Sequence, residues 1–395
     1  MIEIQNLRLE QVGEWTRLVA DISSDFKRED DETTMWVGVK NEHKDLLSDE
    51  NYNAFMFLPV YMSMYYKSDL RIHGHVSKTL WRNMQKYVQS IILDFKDGLK
   101  RIKIVPDGFR EVSRKGTLNG TGVSCGIDSL QTIYDNYVVE KDPEYRLGAL
   151  FMFNCGWHGK YSDPNTFKTF MARSDKNRKA CDEMGLPLIE VDSNLHAFLA
   201  KLGDQISYFK LYTCAFAMEG ALRRYYISSS YSYRDSIEYG AQSRNRDWSE
   251  FGDATALPLM HSERMELVSD GCQYTRTQKT ERIADWDIAQ KYLNVCCRKN
   301  AIENCSVCQK YVRTLLALEA AGKLEQFAGV FDLDAYKKIS HYQKCTVVHR
   351  RNSKQDGFRR DIYRFYQKKG VALPSPAEAE LCLAKKKITG VLKKS

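Results

Sequence analysis

No stretch of the 395-residue chain approaches the roughly 20 consecutive apolar residues that a bilayer-spanning helix requires. The opening, Met1-Ile2-Glu3-Ile4-Gln5, has neither a basic n-region nor an apolar h-region. These two absences lead to the expectation of a soluble, cytoplasmic protein with no membrane partner. Internal repeats and low-complexity tracts are missing as well. So is a basic stripe interleaved with aromatics, the usual footprint of a nucleic-acid binder, and nucleic acid is therefore not an expected partner. Cysteine, by contrast, is plentiful. There are 11, an odd number that argues against a disulfide framework and for reduced thiols used in packing, metal binding or chemistry. The net charge of +8 is concentrated in the tail, where Lys385, Lys386, Lys387, Lys393 and Lys394 crowd together. The body is only mildly basic, a balance that admits an anionic substrate.

With 43% hydrophobic and 12% aromatic residues, the chain can bury one large core or two ordinary ones, and two domains are the default expectation. Residues 1–112 read as a small α+β unit. It opens on alternating Ile2, Ile4, Leu7 and Leu9, continues through a strand at Met35-Trp36-Val37-Gly38-Val39, and contains a helix from Ser77 to Phe95. A returning strand is expected at Arg101–Val105. His73 and His75 lie here without further candidate ligands and read as exposed or packed histidines.

Residues 113–340 change pattern to strands followed by helices. A glycine-rich turn precedes a helix carrying Leu130, Ile133, Tyr134, Tyr137 and Val138; then come a strand at Leu147–Phe153 and a helix at Thr166–Met184. A strand at Leu188–Val191 and a helix at Lys210–Arg224 complete a βαβαβ order. Such an order predicts a doubly wound parallel sheet, with ligands at the carboxyl ends of its strands. Beyond His261-Ser262-Glu263-Arg264, helices are expected at Thr277–Leu293 and Cys308–Phe327. Residues 341–395 read as a helical extension with a basic tail.

The segment Gly122-Val123-Ser124-Cys125-Gly126-Ile127-Asp128-Ser129-Leu130 sets small residues between a strand and an amphipathic helix. Free backbone N–H groups and the helix dipole favour an anion there, and Gly126 permits close approach. Ser124 and Ser129 can donate to phosphate oxygens, while Asp128 offers the hard oxygen that Mg²⁺ on a polyphosphate takes. An ordinary capped helix after a glycine turn would use the same residues.

This segment resembles the Ser-Gly-Gly-x-Asp-Ser loop of the ATP pyrophosphatase superfamily, the PP-loop enzymes, in the branch related to 7-cyano-7-deazaguanine synthase. The resemblance runs from about Gly120 to Tyr336. It takes in Asn154-Cys155-Gly156-Trp157-His158-Gly159, Val191-Asp192-Ser193-Asn194-Leu195, Arg276-Thr277-Gln278-Lys279-Thr280 and Asn304-Cys305-Ser306-Val307-Cys308. It implies an adenine nucleotide alpha hydrolase-like fold whose loop grips the pyrophosphate of ATP. A substrate oxygen then attacks the α-phosphate, and nitrogen or sulfur displaces the adenylate. Ser124, Gly126, Ile127, Asp128 and Ser129 would hold pyrophosphate and Mg²⁺, and the backbone of Phe153–Gly156, with Asn154 and Gly156, would face adenine. Arg276 and Lys279 would neutralise phosphate charge, or be surface cations at a helix start. Asp192 and Asn194 read equally as caps beyond a strand.

Cys125 stands where the family has glycine. Close to a helix start its thiolate is favoured, which makes it a candidate nucleophile or sulfur carrier; it could also pack as a small apolar group. Cys155 is a candidate partner thiol, or a buried filler. Cys296, Cys297, Cys305 and Cys308 have spacing suited to tetrahedral Zn²⁺, although the last ligand of the relatives' site falls on Tyr311. The alternatives are completion by Cys297 or a metal-free elbow. The function expected is ATP-dependent adenylation of a carbonyl oxygen on a small, heterocyclic substrate and its replacement by sulfur, releasing AMP and pyrophosphate. Amidation, nitrile formation and tRNA thiolation are the alternatives. A sulfur- or nitrogen-donor protein and a homodimeric partner belong to the same expectation.

Overall fold

The computed structural model describes residues 1–240, 248–296, 303–304, 308–353 and 356–392. The chain divides into two compact units, one comprising Met1–Val123 and Thr132–Cys272, the other Ser124–Gln131 and Gln273–Ser395.

The first unit is an α/β unit built on one ten-stranded sheet. Its strands are β1 (Ile2–Val12), β2 (Trp15–Ser24), β3 (Thr34–Lys40), β4 (Leu70–Val76), β5 (Ile104–Phe109), β6 (Leu118–Gly122), β7 (Ala149–Asn154), β8 (Leu188–Ser193), β9 (Leu222–Ser228) and β10 (Glu266–Asp270). They lie in the order β10-β9-β6-β7-β8-β3-β2-β1-β4-β5. From β10 to β8 all neighbours are parallel. β6 sits centrally with β7 and β8 on one side and β9 and β10 on the other, so the strand order reverses between β6 and β9. In open α/β sheets that reversal marks the crevice where ligands bind. β7 is buried along its whole length, as a strand covered on both faces must be.

β3 pairs antiparallel with β8, placing Val37 opposite Ser193 and Val39 opposite Val191. This pairing runs the N-terminal strands into the parallel half, and one continuous core contains Ile2, Val37, Phe57, Phe151 and Val191. The boundary expected at 112/113 thus falls inside a single compact unit. The reason is β3: it is apolar at Met35, Val37 and Val39, all fully buried, and uses both of its edges. Asn194 secures the junction, since its Oδ1 accepts from Trp36 N–H at 2.8 Å and its Nδ2 donates to the Thr34 carbonyl at 2.8 Å. That is a clamp between strands rather than a helix cap.

Helix α1 (Phe57–Tyr66) packs in this core, followed by a helical stretch over 78–95 that includes a π turn at Met84–Val88. α2 (Ile127–Ile133) follows β6 and the glycine turn, α3 (Asn165–Met184) links β7 to β8, and α4 (Ser207–Phe216) precedes β9. The helix expected over Lys210–Arg224 ends at Phe216, because Leu222–Arg224 begin β9 and pair with β6. His73 is exposed and meets Glu3 at 2.8 Å.

The second unit is helical: α5 (Arg276–Ile283), α6 (Gln309–Ala320), α7 (Leu333–His349), α8 (Gly357–Lys369) and α9 (Pro376–Leu392), with shorter pieces between. The helix expected from Thr277 to Leu293 is broken into Arg276–Ile283 and Asp287–Tyr292. Among the described residues no helix is long and apolar enough to cross a membrane.

Candidate active site

In the second unit the site grows from the start of α5. Thr275 caps that helix: its hydroxyl accepts from Gln278 N–H at 3.5 Å, and Gln278 Oε1 accepts from Thr275 N–H at 2.8 Å, a reciprocal capping box. With the helix register fixed, Arg276 and Lys279 are three residues apart and share one face. Cations in a first turn oppose the helix dipole, so their placement needs another source of stability. Asp128 supplies it. Arg276 Nη1 forms a short ion pair with Asp128 Oδ2, and Lys279 Nζ lies 3.4 Å from Oδ1. Lys279 is fully buried and the other two side chains are largely so. Burial by itself would raise the Asp128 carboxyl, but Arg276, Lys279 and Lys310 outweigh it and hold the group below the ordinary carboxylate range.

Asp128 lies in the first turn of α2, the end of a helix that favours an anion. The preceding loop folds on its own hydroxyls. Ser129 Oγ accepts from Ser124 N–H at 3.1 Å, and Ser124 Oγ accepts from Gly126 N–H at 3.3 Å. Ser124 is exposed, whereas Ile127 and Ser129 are buried. Cys125 adopts a left-handed backbone, φ +53°, and is buried; its carbonyl accepts from Asn294 N–H at 2.8 Å. For a residue with a Cβ that conformation costs about 1–2 kcal/mol, and glycine adopts it freely.

Arg276 and Lys279 beside Asp128, with Lys310 near enough to act on the same carboxyl, gather cationic side chains at the start of the loop helix, a set that suits a polyphosphate. Mg²⁺ fits less directly than the sequence suggests, because the carboxylate expected to meet it is engaged by Arg276 and Lys279. A divalent ion would have to arrive with the phosphates.

The first unit contributes a second cluster at the carboxyl ends of β7 and β8. Asn154 Nδ2 donates to Asp192 Oδ1 at 2.7 Å, and Ser193 Oγ donates to the Asn154 carbonyl at 2.8 Å. Burial pushes the Asp192 carboxyl upward, against the opposing hydrogen bond from Asn154. Gly156 has φ +125°, and a Cβ there would lie 3.0 Å from Lys210 Nζ. Only glycine lets the chain pass so close. His196 is buried beside the same lysine, and burial, then the Lys210 charge, lower its imidazole to about 4. Asn154 Oδ1, His196 Nδ1 and Tyr225 Oη are buried without a hydrogen-bond partner among the described residues. Such orphaned atoms are uncommon and mark places where a ligand or water completes the structure. Sequence reading passed over His196, Lys210 and Tyr225. The one available signal was Lys210 itself, a lone cation in the apolar run Tyr208-Phe209-Lys210-Leu211-Tyr212.

Cys155 is fully buried, and its thiol contacts that of Cys214; burial first, then that contact, push the Cys214 thiol well up. The environment is that of a packed pair. In the cysteine cluster, Cys296 and Cys308 are half-buried, and Cys308 caps α6 by accepting from Tyr311 N–H at 3.5 Å. Cys297 and Cys305 lie outside the described residues. Tyr311 is a core residue: fully buried, it donates to the Asp332 carbonyl at 2.6 Å and packs edge-on against Phe331.

His196 provides a test of the buried cluster. The unfolded chain takes up a proton on this imidazole near its ordinary value of 6.5, the folded protein only at about 4. Stability is therefore lost as pH falls through that window and levels off below it. His158, also lowered to about 4 by burial and by Arg173, shares the window. His196→Gln should remove its own share of the acid limb, on the order of 3 kcal/mol, measured as urea midpoints from pH 7 to pH 4. An unchanged slope would mean that His196 is solvated.

The chain was compared with family models, curated proteins and solved structures, and none of them matches it.

Proposed function

We propose that this chain is an ATP pyrophosphatase with an adenine nucleotide alpha hydrolase-like fold. It adenylates a carbonyl oxygen of a small heterocyclic substrate, and sulfur then replaces that oxygen. The observation carrying the proposal is the clasp of Asp128 by Arg276 and Lys279, two buried cations at the wrong end of a helix for their charge. A pair made only for stability has no need of two cations at that end of a helix, next to a loop of small residues that opens another helix. The parallel strand order, reversing beside β6, supports the same reading, since the loop is the segment that leaves β6.

In this reading the loop of Ser124, Gly126 and Ser129 exchanges its internal hydrogen bonds for bonds to the β- and γ-phosphates, while Arg276 and Lys279 offset the charge developing on the leaving pyrophosphate. Mg²⁺ arriving with ATP would supply further neutralisation of the phosphates. The substrate oxygen attacks the α-phosphorus, the bond to the β-phosphate oxygen breaks, and pyrophosphate leaves. The incoming atom then displaces AMP.

The full chain incubated with γ-labelled ATP, Mg²⁺, sulfide and a panel of carbonyl-bearing purines, pyrimidines and deazapurines should release labelled pyrophosphate together with AMP. Labelled orthophosphate with ADP would reject α-phosphate chemistry. Absence of ATP binding would reject the proposal as a whole.

A further inference from the structure

Away from the loop, α7 and α9 place three metal-ligating side chains together, with Glu378 beside one of them. His341 and Cys345 are four residues apart on α7, and Glu378 and Cys382 are four apart on α9, so each pair occupies one helical face. The ligand atoms of His341, Cys345 and Cys382 all lie within 4.8 Å of one another. His341 Nε2 is 3.6 Å from Cys345 Sγ, and Glu378 Oε1 is 3.8 Å from the same nitrogen. A tetrahedral zinc ion, with Zn–S of about 2.3 Å and Zn–N of about 2.0 Å, sets its ligand atoms about 3.5 Å apart. The spacing found here is already close to that edge.

The packing around these residues gives the arrangement a purpose. Among the described residues, Cys345, Val348 and Ala379 form the buried core that joins α9 to α7, with Tyr363, Leu373 and Cys382 packed at its margin. Further links are Lys386 Nζ, 3.5 Å over the Tyr342 ring, and exposed ion pairs such as His349 with Glu380 at 2.7 Å, which contribute little. So small a core does not hold a 17-residue helix by apolar burial alone; small cores are commonly stapled by a metal. Cys345 is fully buried, Cys382 half-buried and His341 exposed, so the sulfur side is dry and an ion enters from the imidazole side.

We propose that His341, Cys345 and Cys382, with Glu378 as fourth ligand, bind one Zn²⁺ that fastens α9 to α7. The site is structural. Four protein ligands close the coordination sphere, as structural zinc sites do, and leave no position for a reacting water.

The test is elemental analysis of the full chain purified without chelator, beside His341→Ala, Cys382→Ser and Cys308→Ser variants. The His341 and Cys382 variants should each hold about one zinc fewer than the parent. Cys308→Ser probes the separate cysteine cluster and should leave this ion in place. Because a variant can fail to fold, the parent is also reconstituted with Co²⁺. A thiolate-to-cobalt absorption band that survives Cys308→Ser supports the site, as does loss of protection of α9 against limited proteolysis when the parent is stripped with chelator. Zinc content unchanged by both His341→Ala and Cys382→Ser would overturn the proposal. So would a freshly isolated chain that is two hydrogens lighter and metal-free, with a Cys345–Cys382 disulfide in its peptide map.

Discussion

Asp128→Ala is expected to abolish AMP and pyrophosphate formation, with a loss of at least about a hundredfold, the scale seen when one preorganised electrostatic contact is removed from a reacting centre. The substitution has a second effect of opposite meaning for binding. It leaves Arg276 and Lys279 buried without their carboxylate, at a cost on the order of 3 kcal/mol, reduced to the extent that water reaches the site. Binding of a polyphosphate would return an anionic partner to both cations. ATP should therefore raise the melting temperature of the variant by more than that of the parent, even though turnover is lost. Acid titration of the parent gives an independent readout. The Asp128 carboxyl is lower in the folded protein than in the unfolded chain. Its stabilisation is complete above the ordinary carboxylate value and is lost as pH falls through the folded one. Asp128→Asn should remove that part of the acid transition. A variant that turns over at the parental rate would refute the loop assignment, whatever its stability.

The parts of this site that could be read in the sequence share one property: their chemistry depends on neighbours in the chain. The turn before α2 and the Arg276/Lys279 pair are local patterns, where spacing alone fixes which residues share a face. β1, β3, β7 and β8 were legible for the same reason, being apolar or alternating runs bounded by turn residues. Partners distant in sequence were not. That Asp128 is clasped by residues 148 and 151 positions later follows from tertiary packing and from no local pattern. β9 was hidden because Leu222-Arg223-Arg224 continues a helical periodicity, yet Arg224 reaches Glu266 on β10 at 3.0 Å and the strand pairs on both edges. Pairing energy overrode propensity there. β4 and β10 are polar enough to pass for loops, and their strand character comes from the neighbours they complete. The His341, Cys345 and Cys382 group illustrates the same limit, since its two halves lie on helices separated by α8.

Cys125 separates sulfur transfer from amidation, and its backbone supplies a control that activity alone does not. At φ +53° a side chain is strained where glycine is not. Cys125→Gly should therefore stabilise the protein by about 1 kcal/mol after the greater chain entropy of glycine is offset, while Cys125→Ser keeps the strain and should stay near the parental midpoint. Both variants should bind ATP. If the thiol carries sulfur, the parent incubated with a sulfane-sulfur donor such as a polysulfide, which leaves one sulfur shorter, gains about 32 Da on the Cys125 peptide, the mass of one sulfur atom in a persulfide. Its terminal sulfur would attack the adenylated carbon as AMP leaves, and two equivalents of an added thiol, departing as their disulfide, would then reduce the remaining S–S bond to free the product and the Cys125 thiol. Neither variant can take up that sulfur, so both should lose product formation by orders of magnitude, although one is more stable than the parent and the other is not. Loss in both despite their different stability would assign the defect to the sulfur atom rather than to the fold. Product formed by Cys125→Gly at the parental rate, with the stability gain present, would leave ATP chemistry in place and make nitrogen the incoming atom.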